Sequence, residues 1–530
     1  MKKQEEKGNN QSNKKNVYPE AKLSKRYKNV NQGDDTKHGD DTNQRDDRNQ
    51  LDVANQGDNP NIRDSTNKVI MNVTYIFIGL FVLVLGYFTH FMITDSNEVI
   101  NNPYNKRQDL LAEQVVRGAI VSADGEIIAQ TITNEEGVET RVYPYGSMFS
   151  HIVGRFYKGR TGLESLENFH LLTSNQNPIK KIFQELSGEK NLGDNVVTSL
   201  DTRLQEAAFD ALGNHKGAVV VMEPSSGKIL AMVSKPDYDP NNIDALWNDL
   251  IADSDKNSAL INRATQGLYP PGSIFKILTA LEYIRENPNY EDYSYDCVGK
   301  GTFNGITINC YNNKVHGHVD LTKAFAKSCN SAFAQIGTTL NMASFRKLCN
   351  SFLFNSPLPT NLEYNKSSFV LDANSELKDI PQTAIGQGKT QVTPLHSALI
   401  VSSIANGGVM MKPYVVDHIE NDNGTNIKKF LPEIYDTLMT SSESQLLTSY
   451  MMEVVANGTA TALSGENYTV AGKTGSAEYD ADEPAHAWFV GFAPAEDPKI
   501  VVSIIVEGVG TGSEYAVPIA AEIFDTYFKK

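Results

Sequence analysis

Ser273 and Lys276 stand three residues apart in "YPPGSIFK", residues 269–276. A serine hydroxyl is a feeble nucleophile near neutral pH unless a base takes its proton. A lysine at i+3 shares its side of a helix and can be that base if its amine is neutral, a state favoured by burial and by nearby positive potential such as a helix N-terminus. The spacing alone identifies nothing, because Ser-x-x-Lys also begins at Ser12, Ser65, Ser187, Ser225, Ser344 and Ser375. Context separates this copy from the others. Pro270-Pro271-Gly272 prevents a helix from extending upstream and so sets Ser273 at a helix start, while the apolar "ILTALEYI" that follows predicts a helix anchored in the core.

Two further stretches supply what a serine–lysine pair lacks. Ser328-Cys329-Asn330, in "AKSCNSAF", offers a hydroxyl to relay a proton and an amide to fix a substrate backbone or Lys276. Lys473-Thr474-Gly475-Ser476, in "YTVAGKTGS", offers a cation, two hydroxyls and a glycine that lets a substrate approach a strand closely. The backbone N–H groups of Ser273 and Ser476 could then form an oxyanion hole. Taken singly, each stretch reads as a helix cap, a surface turn or a strand end, and Ser65-Thr66-Asn67 shows how cheaply the second pattern arises. In this order, on a helix start, a helix-rich segment and a strand, the three resemble the signature of serine penicillin-recognising enzymes.

Elements on both sides must position these residues. "DNVVTSLDTRLQEAAFDAL" predicts a strand and a helix, and "KGAVVVMEPSSGKILAMVSKP" two strands joined by a Ser-Ser-Gly turn. "YTVAGKTGSAEYD", "HAWFVGFAP" and "KIVVSIIVEG" add three β-rich runs near the far end. Between the groups lie "SIFKILTALEYIRE" and "LTKAFAKSCNSAFAQIGTTL", both helical in pattern. Strands at the ends and helices in the middle imply an α+β fold, an antiparallel sheet closed across a helical insertion. His486 and Trp488 fit a strand core at least as well as a cleft rim.

The 530 residues allow two or three domains. Residues 1–68, with "NQGDDTKHGDDTNQRDDRNQ", lack apolar clusters and predict a disordered cytoplasmic tail. Residues 69–93 predict one transmembrane helix, being about the 20 apolar residues that cross a bilayer. The tail carries 14 basic and 12 acidic residues, while the remainder is strongly acidic within a net charge of −16. Arg63 and Lys68 precede the span and Asp95 and Glu98 follow it, which favours the tail inside and the bulk outside. The acidic bulk argues against nucleic acid as a partner. Residues 94–195 predict a small α+β module with a hairpin around Asp124-Gly125, and 196–530 the catalytic domain. Of four cysteines, Cys297 and Cys310 are spaced for a disulfide, with buried free thiols the alternative. No Cys/His spacing suggests a metal, and no cofactor is expected.

Beyond the three motifs, "NRATQGLYPPGSIFK", "SCNSAFA", "AIGQGKTQVTPLHSALIVSSIANGGVMMKP" and "AGKTGSAE" with "HAWFVGFAP" resemble class B penicillin-binding proteins over most of residues 100–530. "RGAIVSADGEIIAQT" and "GRTGLESLEN" resemble that family's non-catalytic pedestal. The resemblance implies a peptidoglycan D,D-transpeptidase: Ser273 as nucleophile on D-alanyl-D-alanine stem peptides, Lys276 as base, Ser328 and Asn330 in the relay, and Lys473, Thr474, Gly475 and Ser476 binding the donor terminus. It further implies acylation by β-lactams and an integral-membrane glycan polymerase as partner. Position 476 is serine where many relatives carry threonine, and Cys329 is expected to face packing. About a hundred residues between the span and the catalytic domain are too few for a glycosyltransferase. A hydrolase of the same fold, or a penicillin sensor or scaffold, remains open on sequence alone.

Overall fold

A computed structural model of the chain describes residues 60–94, 107–253, 258–479 and 482–529. Helix α1 spans Pro60–Thr94 and, over Asn67–Met92, is long and apolar enough to cross a membrane. It therefore begins inside the segment expected to be unstructured. Proline is suited to a first helical position, and once a turn is nucleated each further residue adds a hydrogen bond. Residues 1–59 of the expected tail lie outside the described residues.

The remainder is built on two main sheets, with four two-stranded pairs beside them. In chain order, the strands of the main sheets and of two of these pairs are β1 (Ile120–Val121), β2 (Ile127–Thr133), β3 (Glu139–Val142), β4 (Asn195–Thr198), β5 (Gly217–Met222), β6 (Ile229–Lys235), β7 (Ser294–Cys297), β8 (Lys300–Phe303), β9 (Ile306–Asn309), β10 (Gly317–Asp320), β11 (Val416–Glu420), β12 (Asn426–Lys429), β13 (Ala471–Ala477), β14 (His486–Ala493) and β15 (Ile500–Val506). Five pair as β13-β14-β15-β5-β6, antiparallel throughout. The first-half strands thus meet the last-half strands as the sequence predicts. Every residue of β5, β14 and β15 is buried, so both faces of this sheet are covered. Helix α2 (Thr202–Leu212), capped by Asp201, helix α6 (Pro394–Ala405) and helix α7 (Gly512–Phe528) pack on it.

The second sheet runs β12-β11-β4-β1-β2-β3. It contains the hairpin predicted around Asp124-Gly125 as β1 and β2. It also takes β11 and β12 from far beyond residue 195, with β4 parallel to β1 and antiparallel to β11. The change of texture near Asn195 is therefore not a clean division in space. Beside this sheet Glu164 is fully buried, its carboxylate 2.6 Å from Arg117 Nη2 and 2.7 Å from Arg141 Nε. Burial alone would raise the Glu164 pKa, but the two guanidinium groups outweigh it and hold it below its usual value.

Between the sheets' strands in sequence come α3 (Lys276–Glu286), α4 (Leu321–Ala326) and α5 (Asn330–Thr339). The stretch predicted as one helical run, 321–340, is two helices broken at Lys327–Cys329. All four cysteines are buried and free, so no disulfide joins Cys297 to Cys310.

Candidate active site

Pro271 caps a single 3-10 turn, Gly272–Phe275, and α3 begins at Lys276. The structure thus replaces the expected α-helical start at Ser273 with a tighter turn. Side chains at i and i+3 eclipse in 3-10 geometry. Lys276 therefore lies under Ser273, with Nζ 3.0 Å from Ser273 Oγ. Gly272 makes the approach possible: its φ is +55°, its N–H donates to Gly386 O, and a Cβ would come within 2.9 Å of Ser476 O. No other residue type adopts that conformation so readily.

The break between α4 and α5 provides the second group. Ser328 adopts φ +54°, and the kink turns its O and Oγ and Asn330 Oδ1 onto Lys276 Nζ at 2.9, 3.1 and 2.7 Å. A continuous helix would send residues 328 and 330 in directions about 200° apart. The helix break is thus the condition for both to reach one amine.

Lys473 enters from β13, its Nζ donating to Ser328 Oγ at 3.0 Å and to Thr474 O at 2.9 Å. Ser328 Oγ consequently bridges two amines. Both lysines are 0 % exposed, with the Phe333 and Phe325 rings 5.6 and 5.7 Å from their nitrogens. Burial pushes Lys276 down to about 8. Lys473 falls well below its usual range, first through burial and then through the charge of Lys276.

The structure therefore gathers Ser273, Lys276, Ser328, Asn330 and Lys473 into one hydrogen-bonded cluster. Thr474 and Ser476 lie along β13, the edge strand of its sheet; Thr474 is buried, its Oγ1 2.5 Å from Thr459 Oγ1, and Ser476 is half-buried. Gly475 also has a packing role: a Cβ there would meet Trp488 Cβ at 3.0 Å and Ile274 Cγ2 and Pro271 O at 3.3 Å, so its bareness lets β13 pack against the Ser273 turn.

Sequence reasoning missed two supports. Trp488 Nε1 donates to Pro270 O at 3.0 Å, fixing the approach to Ser273 from β14, while its ring lies fully in the core. Gln387 Nε2 donates to Ser476 O at 3.4 Å. The prolines in "YPPGSIFK" were visible, but the tryptophan that grips them is 218 residues away. His486 takes the core reading, stacked on Tyr479 with centroids 4.0 Å apart.

Residues 217–525 match the family described as the penicillin binding protein transpeptidase domain, and residues 117–196 the penicillin binding protein A dimerisation domain. The chain belongs to the class B penicillin-binding proteins. This penicillin-binding protein is 31% identical over 491 residues to peptidoglycan D,D-transpeptidase PbpA of Mycobacterium tuberculosis, covering 87% of this chain and 98% of that one. It is 30% identical to PbpA of Mycolicibacterium smegmatis, over 86% of this chain and 97% of its relative. The solved imipenem acyl-enzyme complex of penicillin-binding protein A from M. tuberculosis superposes with a TM-score of 0.72 at 30% identity, covering 79% of this chain and 99% of that one. The fold and family expectations stand.

Proposed function

We propose that this penicillin-binding protein cross-links peptidoglycan as a D,D-transpeptidase through an acyl-enzyme on Ser273. The observation that carries the assignment is Lys276: a fully buried amine, lowered toward neutrality, 3.0 Å from the hydroxyl it must deprotonate. Neutral Lys276 accepts the Ser273 proton as Oγ attacks the penultimate D-alanine carbonyl. The N–H groups of Ser273 and Ser476 hold the oxyanion. The C–N bond then breaks, and the proton reaches the departing D-alanine amine through Ser328. An acceptor amine attacks the ester carbonyl and gives its proton to Lys276; the acyl C–O bond to Ser273 breaks, releasing the cross-linked product, and Lys276 returns the proton to Ser273 Oγ.

Asn330 acts as a positioning residue for Lys276 in this scheme. The donor carboxylate meets the hydroxyls of Thr474 and Ser476, while Lys473, lacking exposed atoms, acts from behind Ser328 through its hydrogen bond to that hydroxyl. The donor peptide adds alongside the edge strand β13. Among the described residues no carboxylate hydrogen-bonds to Ser273 or Lys276, which favours transfer to an amine over hydrolysis.

The same reading assigns residues 69–93 to a single membrane span with the N-terminus cytoplasmic, 94–195 to the pedestal and 196–530 to the transpeptidase domain. The partner is an integral-membrane glycan polymerase that docks on the span and the pedestal. The deciding experiment is mass spectrometry of the full chain with a stem-peptide thioester and separate candidate amines. The expected result is an adduct on Ser273 and a cross-linked product. Hydrolysis alone would make the protein a carboxypeptidase, rapid penicillin turnover a β-lactamase, and no adduct at all a non-catalytic scaffold.

A further inference from the structure

Thr474 is 5 % exposed, and its hydroxyl meets that of Thr459, 2.5 Å away and 15 residues earlier in the chain. Among the described residues neither hydroxyl has a further hydrogen-bond partner. Each hydroxyl carries one donor and two acceptor sites, so the pair holds two protons and uses one between its oxygens. The second O–H is unspent, at a buried position where polar groups normally find a partner. What completes the pair is therefore an acceptor.

Thr459 is half-buried on a short loop that is fastened to the break between α4 and α5. The helix Ser441–Ala456 packs on both α4 and β13, and the chain leaves it through Asn457 and Gly458. Lys327, the first residue of the break, donates through Nζ to Asn457 O. A Cβ on Gly458 would lie 2.3 Å from the carbonyl oxygen of Ala326, the last residue of α4, so only a bare α-carbon fits there. The N–H groups of Gly458 and Ala460 both donate to Val454 O, at 3.1 Å. The loop thus rests on the same break that aims Ser328 and Asn330 at Lys276, and it delivers one hydroxyl to the strand that carries Lys473.

We propose that Thr459 is a positioning residue for the donor terminus: it donates its proton to Thr474 Oγ1, so that the Thr474 hydroxyl in turn donates to the terminal carboxylate of a stem peptide or of a β-lactam. This rests on the reading of Thr474 as a ligand of that carboxylate. The direction follows from charge. A carboxylate only accepts, so Thr474 is the donor toward it; its lone pairs are then left for Thr459, which becomes the donor of the pair. Two O–H groups in line, ending on an anion, polarise one another, and the bond to the charged group is the stronger for it. Thr459 also sets the Thr474 rotamer. Oγ1 and Cγ2 of a threonine trade places on rotation about χ1, and an apolar neighbour at position 459 would draw in the methyl group and turn the hydroxyl away. A threonine this far upstream of β13 carries no sign of that task in the linear sequence.

The test compares acylation of the full chain, in detergent, by a chromogenic cephalosporin and by the methyl ester of the same compound, in wild type, Thr459→Val, Thr459→Ser and Thr474→Val. Wild type should prefer the acid. Thr459→Val should lower acylation efficiency with the acid by about 10- to 100-fold, the worth of one hydrogen bond to a charged group. The loss should lie in binding before the covalent step, with the rate at saturation and its rise through about pH 8 kept, and the ester should hardly be affected. Thr459→Ser, which keeps the hydroxyl and loses only the methyl, should behave as wild type with both compounds. A loop that merely supports the fold would instead lower Tm and slow acid and ester alike. An equal loss with both compounds, a Thr459→Ser protein as impaired as Thr459→Val, or no loss in Thr459→Val would each overturn the proposal. Thr474→Val separates the two claims. If it erases the preference for the acid while Thr459→Val does not, only the role of Thr459 falls; if it leaves the preference intact, the assignment of Thr474 to the donor terminus falls as well.

Discussion

As the proposed base, Lys276 has two roles to reconcile: it must be buried to lose its proton readily, and hydrogen-bonded to be aimed. Its pKa, pushed down to about 8 by burial, sets a pH dependence. The basic form is the neutral amine, so acylation should rise as pH climbs through about 8 and level off above it; rapid-mixing kinetics with a chromogenic β-lactam give the profile. A flat profile between pH 6 and 9 would remove Lys276 from the role of base. Lys276→Ala should cut acylation by roughly 10²–10⁴-fold. At this scale the sequence was informative where chemistry is local. Ser273 and Lys276 are neighbours on one turn, and Ser328 and Asn330 flank one kink. The packing role of Gly475 was not legible, because it depends on a residue, Trp488, from the adjacent strand.

The 3-10 turn at Gly272–Phe275 is the element that positions Ser273, the proposed nucleophile, and three unrelated segments hold it: Gly386 through a backbone bond, Trp488 through Pro270, and β13 through close packing. Gly272→Ala places a Cβ in a left-handed conformation costing roughly 1–2 kcal/mol and pushes it toward Ser476 O. The acylation rate of the folded fraction should fall more than this strain would imply for stability, because the displaced turn also carries one side of the oxyanion hole. Measuring Tm and acylation on the same preparation separates the two effects. An unchanged acylation rate with a lowered Tm would reduce the glycine to a folding role. Trp488→Phe keeps the packing but loses the bond to Pro270, and should likewise slow acylation with Tm little changed. The prolines and glycine announced a constrained entry to a helix, but the kind of helix was not legible, since 3-10 and α turns begin with the same residues.

Across the whole molecule, the buried Arg117–Glu164–Arg141 group stabilises the second sheet. Removing the carboxylate in Glu164→Gln leaves two buried guanidinium groups without their charge partner and should cost about 3–5 kcal/mol. Because the folded pKa of Glu164 is lowered, its contribution is full above the ordinary carboxylate range and is lost as pH falls through the folded value. The Tm gap between wild type and Glu164→Gln should therefore be largest near neutrality and close in acid; a gap independent of pH would refute the account. The overall layering was legible in the sequence from texture, with strands at the ends and helices between. The sharing of β11 and β12 with the first module was not, because short half-polar strands carry no mark of their partner. That closure over long stretches of chain also governs how the protein is made. β5 pairs along its length with β15, residues 500–506, and β4 with β11. At ~5–20 residues per second, β5 remains without its neighbour for tens of seconds after it is synthesised. The sheet that carries β5 cannot be completed until β15 has been made, so fragments ending before residue 500 should stay protease-sensitive, and the growing chain needs protection until that strand arrives.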